Sequence, residues 1–165
     1  MTSISNFLVV KELHNLQKIN NVPYTAGLST FDNPIKIGTG AGITTQSTGC
    51  IAIGVDAGLV QDTESIAIGK EAGSAQATYS VAVGGQSGRS SGDYCTSMGF
   101  AAQATNAGNN VCSFGNQAGA LNADVNSCQF GNEAGTTDAG EGSCAFGTNA
   151  LNDNAGINAI GIGEN

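Results

Sequence analysis

Five cysteines and one histidine are the side chains here that most readily do chemistry. Three of the thiols, Cys112, Cys128 and Cys144, return at equal intervals, each two places before a phenylalanine, in "CSFG", "CQFG" and "CAFG". Such spacing raises a metal site, a disulfide ladder or a repeated nucleophile. Zinc wants four converging ligands, commonly with a C-x-x-C pair among them. The chain has no C-x-x-C, and His14 is its single histidine. If the three thiols stack, their Cα atoms fall inside the disulfide window, but parallel Cβ vectors oppose the twist a bridge needs. His14 belongs to no recognisable Ser-His-Asp or Cys-His pattern. The expectation is therefore a non-enzymatic chain with no catalytic residue, no cofactor-binding residue and no metal ligand.

The thiols belong to a longer period. A glycine follows an apolar-x-apolar triplet at Gly38, Gly54, Gly69, Gly84, Gly99, Gly115, Gly131, Gly147 and Gly163, a nearly constant interval that varies by a single position. Alternation with period two and β-branched enrichment marks a short strand with one buried face. A unit this small holds two short strands and two turns, and it cannot bury its own apolar face without neighbours. The fold class expected is all-β, a parallel β-solenoid of 15- to 16-residue coils spaced by about 4.8 Å, its glycines serving tight corners.

The two apolar columns are expected to form the interior. Ile53, Ile68, Val83, Met98, Phe114, Phe130 and Phe146 make one column; Cys112, Cys128 and Cys144 continue the other, which begins with isoleucines. Where Met or Phe is large, the partner shrinks to Thr or Cys, as dense packing would require. On this reading the cysteines are small buried hydrophobes, unlabelled until unfolding, and Phe130→Ala costs roughly 3–5 kcal/mol. Cys50 and Cys95, one residue earlier in their units, are read as isolated thiols on the other face.

Composition agrees with many turns and little bulky filling: 25 glycines, two prolines, no tryptophan and 11% charged residues. The net charge is −8, and beyond Arg89 there are seven acids and no base. That surface repels phosphate backbones, which argues against nucleic acid. No stretch of 18 apolar residues exists and "MTSISNFLVV" lacks a basic leader, so neither membrane insertion nor export is expected. An odd number of cysteines suits synthesis in a reducing compartment. Residues 1–34 differ in kind from 35–165: "LVVKELHNLQKINNVP" carries apolar residues at 3-4 spacing, read as a short helix that caps the solenoid or attaches it to a particle.

The strings "CIAIGVDAG", "SIAIGKEAG" and "SVAVGGQSG" resemble the head repeats of YadA-like trimeric autotransporter adhesins, repeats also similar to those of phage and large-virus fibres. The resemblance covers residues 35–165. It implies a left-handed roll, three chains side by side with small rows such as Ala52, Ala67 and Ala82 between them, and a surface-exposed adhesive or spacer role. The units are a residue or two longer than the family's, and no neck, stalk or anchor is recognisable within these 165 residues. A fibre or spike on a virion surface, attached through residues 1–34 and meeting a host receptor or glycan, is the expected function. The head of a bacterial surface adhesin and a monomeric solenoid binding a ligand or glycan are the alternatives.

Overall fold

The computed structural model describes residues 34–164, so the segment expected over 1–34 lies outside the described residues save for Pro34. The period emerges as strands of three residues: β1 (Ile35–Ile37), then a short β2 (Thr45–Gln46), β3 (Ile51–Ile53), β4 (Val60–Gln61), β5 (Ile66–Ile68), β6 (Ala75–Gln76), β7 (Val81–Val83) and β8 (Ser90–Ser91). Thereafter come β9 (Thr96–Met98), β10 (Cys112–Phe114), β11 (Cys128–Phe130), β12 (Cys144–Phe146) and β13 (Ile160–Ile162). The apolar-x-apolar triplets pair in parallel and in register through one nine-stranded sheet, β1-β3-β5-β7-β9-β10-β11-β12-β13. A second parallel sheet, β2-β4-β6-β8, closes the opposite side of the first coils. Residues 34–164 form an all-β solenoid and contain no helix.

Extra residues explain why the second sheet stops. From coil to coil the longer units after Gly99 insert Asn106, Asn122, Asp138 and Asn154, all with φ near +50°. Asn and Asp tolerate that left-handed region better than other side chains. The insertion bulges the chain, and the second sheet gives way to single parallel bridges joining Thr105, Leu121, Thr137 and Asp153.

The repeat glycine is fixed by the stacking itself. At Gly54, φ is +133°, and a Cβ there would lie 2.5 Å from the Gly69 carbonyl oxygen of the next coil. No L side chain fits both conditions.

The structure reverses the expected inside and outside. From β3 to β12 the middle residue of each triplet is the buried one: Ala52, Ala67, Ala82, Ser97, Ser113, Gln129 and Ala145; in the end coils Lys36 is exposed and Gly161 half-buried. The columns expected in the core, Ile53, Ile68, Val83, Met98, Phe114, Phe130 and Phe146 with Cys112, Cys128 and Cys144, lie on the outer face, half-buried or exposed. Small residues such as Ala52 are therefore not between chains but inside one. Cys50 and Cys95 are on the other face, as expected, yet that face is the interior: each is 1% exposed and donates its S–H to a carbonyl, Asp62 or Gly108. The physical reason is space. A coil this short, closed by two strands and two turns, leaves a channel wide enough for methyls, hydroxyls and one extended amide.

That amide is placed differently along the stack. In the first coils it comes from the second strand, where Gln61 Nε2 donates to Gln76 Oε1 at 3.0 Å and to the Ile51 carbonyl at 3.3 Å. Further on it comes from the turn, as Gln103, and then from the first strand, as Gln129. Ser65 and Ser80 donate to the carbonyls of Ala77 and Gly92 at 2.7 and 2.8 Å, so these small polar groups in the channel are paired.

Candidate interaction surface

The outer face of the nine-stranded sheet is a stripe two columns wide. One column runs Ile35, Ile51, Ile66, Val81, Thr96, Cys112, Cys128, Cys144, Ile160; the other runs Ile37, Ile53, Ile68, Val83, Met98, Phe114, Phe130, Phe146, Ile162. Neither carries a charged side chain along the full length of the stack. Ile68, Met98 and Phe146 are 37%, 40% and 43% exposed, and Ile162 is 82% exposed. Soluble monomers rarely leave a continuous apolar patch of this extent open.

The stripe is ordered as well as apolar. Phe114 and Phe130 stack with ring centroids 4.9 Å apart, and Phe130 and Phe146 at 5.0 Å, their planes nearly parallel in both pairs. The rings thus share one column and touch, as the sequence leads one to expect. The thiols also come together: Cys112 pairs in register with Cys128, and Cys128 with Cys144. Burial pushes the Cys112 and Cys128 thiols above their ordinary value, and the flanking thiols push Cys128 in the same direction. The repeat glycines Gly69, Gly84, Gly99, Gly115, Gly131 and Gly147 end the strands beside the stripe with positive φ, as Gly54 does.

Three features go beyond the expectations from sequence. Tyr79 and Tyr94 stack on a corner with centroids 5.3 Å apart. The inserted residues form a ladder, Asn106 Nδ2 donating to Asn122 Oδ1 at 3.4 Å and Asn122 Nδ2 to Asp138 Oδ1 at 2.8 Å. Beside that ladder lies a groove of about 580 Å³, bordered by Ser90, Asn106, Asn122 and Asp138 and floored by Ala107 and Ala123. The signal for both ladder and groove is in the sequence, where the interval between repeat glycines lengthens by one position after Gly99. A second ladder joins Asn116 Nδ2 to Asn132 Oδ1 at 2.9 Å, at the turns that follow the phenylalanine strands.

Among the described residues, no three His, Cys, Asp or Glu side chains converge on one point, and no helix is long and apolar enough to cross a membrane. His14 lies outside the described residues. Comparison with protein-family models, with curated proteins and with solved structures finds no match.

Proposed function

We propose that this chain is a non-enzymatic structural protein whose copies assemble through the apolar stripe into a fibre or spike, a trimer displayed on a virion surface for attachment to a host. The open stripe carries the reading. Its occupant must offer a straight, uncharged apolar row with the same pitch of about 4.8 Å, and a further copy of this chain offers it. Covering such rows removes apolar area from water at about 25 cal/mol per Å². The remaining surface, with a chain charge of −8, keeps the assembly soluble. Two copies could cover one another face to face; three copies, and a left-handed coil, are what the resemblance to YadA-like repeats implies. In this arrangement residues 1–34 attach the fibre to its particle, and the outer turns meet a receptor or glycan. A bacterial surface is the other home for the same architecture.

Light scattering coupled to size exclusion tests the assembly. A mass three times the 16.4 kDa chain is expected. A single-chain mass in dilute buffer overturns it.

The groove beside the Asn106-Asn122-Asp138 ladder favours one other reading, a single solenoid that binds a glycan through amides and carboxylates. Glycan-array binding by a single-chain species, lost in Asn122→Ala, would select it.

A further inference from the structure

The three stripe thiols form a row whose step can be read from the same strands. Two residues along, the phenylalanine rings repeat at 4.9 and 5.0 Å with interplanar angles of 5° and 1°. Neighbouring coils here are thus related by translation with almost no rotation. Cys112, Cys128 and Cys144, paired in register, share that step and have parallel Cα–Cβ bonds.

Such a row disfavours one product and suits another. A disulfide needs sulfurs about 2.05 Å apart and a torsion near 90° about the S–S bond. Parallel Cβ vectors one coil apart supply neither. A soft closed-shell ion held by two thiolates in line has other needs. Two metal–sulfur bonds of about 2.3 Å, end to end, span about 4.6 Å, within a few tenths of the coil step. The ion then lies on the stacking axis, roughly perpendicular to each Cβ–Sγ bond, as divalent sulfur prefers. Hard ions want oxygen ligands in number, whereas thiolates select soft ions.

We propose that Cys112, Cys128 and Cys144 are a binding row for soft two-coordinate ions of the Cu(I), Ag(I) and Hg(II) class, each ion held between adjacent sulfurs and Cys128 common to both positions. The first ion breaks two S–H bonds, forms two metal–sulfur bonds and sends two protons to solvent. A second ion bridges to the Cys128 thiolate already formed, so it breaks one S–H bond, forms two metal–sulfur bonds and releases one proton. No oxidation state changes. With a single Hg(II) between two thiolates the pair is neutral, which suits the apolar stripe, so the first Hg(II) binds most tightly. Each ion displaces thiol protons, so it competes with them and affinity rises with pH. The row belongs to one chain, so both ligands of each ion come from the same copy.

The test uses reduced protein in a Cys50→Ser/Cys95→Ser background, since Ser65 and Ser80 already occupy that interior column. Mercuric chloride is titrated against a competing monothiol, and retained ions are counted by native mass spectrometry. The parent retains Hg(II). Cys112→Ser and Cys144→Ser each retain one ion, because an adjacent pair survives. Cys128→Ser, which leaves its sulfurs two coils apart, retains at least about tenfold less at the same competitor concentration. Cys128→Thr, matching Thr96 in the same column, behaves like Cys128→Ser and guards against a folding defect. Equal retention by the three serine variants overturns the proposal, and so does a parent that retains no ion.

Discussion

A methyl group added at Gly115 would lie 2.7 Å from the Gly131 carbonyl carbon, on a residue whose φ is +138°. Backbone strain and backbone collision both oppose it, and neither can be relieved without parting two coils. Gly115→Ala should therefore lower the unfolding free energy by about 3 kcal/mol or more in urea titrations. Gly156→Ala, with nothing within 4 Å of the added atom, should stay within about 0.5 kcal/mol of the parent. The interior thiols add a pH dependence. Burial pushes Cys95 above its ordinary value of 9.0, so the folded chain keeps a proton that the unfolded chain gives up. Its stabilising contribution is complete below that ordinary value and is lost as pH rises through the folded one. Stability measured from neutral pH to about pH 11 should fall on the alkaline side, and Cys95→Ser should flatten the fall. Cys112 and Cys128, raised for the same reason, leave a residue of it.

One long interior side chain per coil is the packing rule where an amide fills the channel, and it shows how volume is exchanged between positions. Gln76 fills its coil while Gly73 at the turn stays bare; a Cβ on Gly73 would meet Gln76 Oε1 at 2.6 Å. In a later coil the turn residue is Gln103, with φ +50°, and the second-strand position shrinks to Ala107. Gln76→Ala breaks bonds to the Ile66 carbonyl and from Gln61, and should cost about 2–3 kcal/mol. Gly73→Gln alone should also destabilise. Together they reproduce the Gln103 arrangement, so the double variant should be more stable than the sum of the singles by about 1 kcal/mol or more. Additive losses would show that the channel does not trade volume between its walls. The strands, their register and the solenoid were legible because the period of two and the near-constant glycine interval leave little choice. The side that faces in was not. Alternation separates Ile51 and Ile53 from Ala52 without saying which set is buried, and apolarity alone points to the isoleucines. Volume decides instead: the middle position is small in nearly every coil, and a large residue there, Gln129, coincides with a bare turn at Gly135. Compensation between large and small was therefore a sound reading applied to the wrong columns.

For the whole molecule, the consequence of that reversal is that the phenylalanine column stabilises a free chain only partly. Phe130 is covered by its two neighbours in the stack, while its outer edge faces solvent. In a single chain Phe130→Ala should cost about 1–2 kcal/mol, less than the roughly 3–5 kcal/mol of a ring enclosed in a core. If the stripe is the surface on which copies meet, the missing part of the loss returns on assembly, and it does so with a dependence on protein concentration. Ile68→Asp separates the two contributions more sharply. Ile68 is 37% exposed, so a carboxylate there can reach water in the free chain at little cost. Between copies the same carboxylates would be desolvated close to one another, which costs several kcal/mol per interface. The expected outcome is a wild type with a concentration-dependent melting temperature and the mass of three chains, and an Ile68→Asp variant with the mass of one. The urea midpoint of that variant should match that of wild type diluted until it dissociates. An Ile68→Asp protein that still assembles would remove the stripe from the interface, whatever the number of copies.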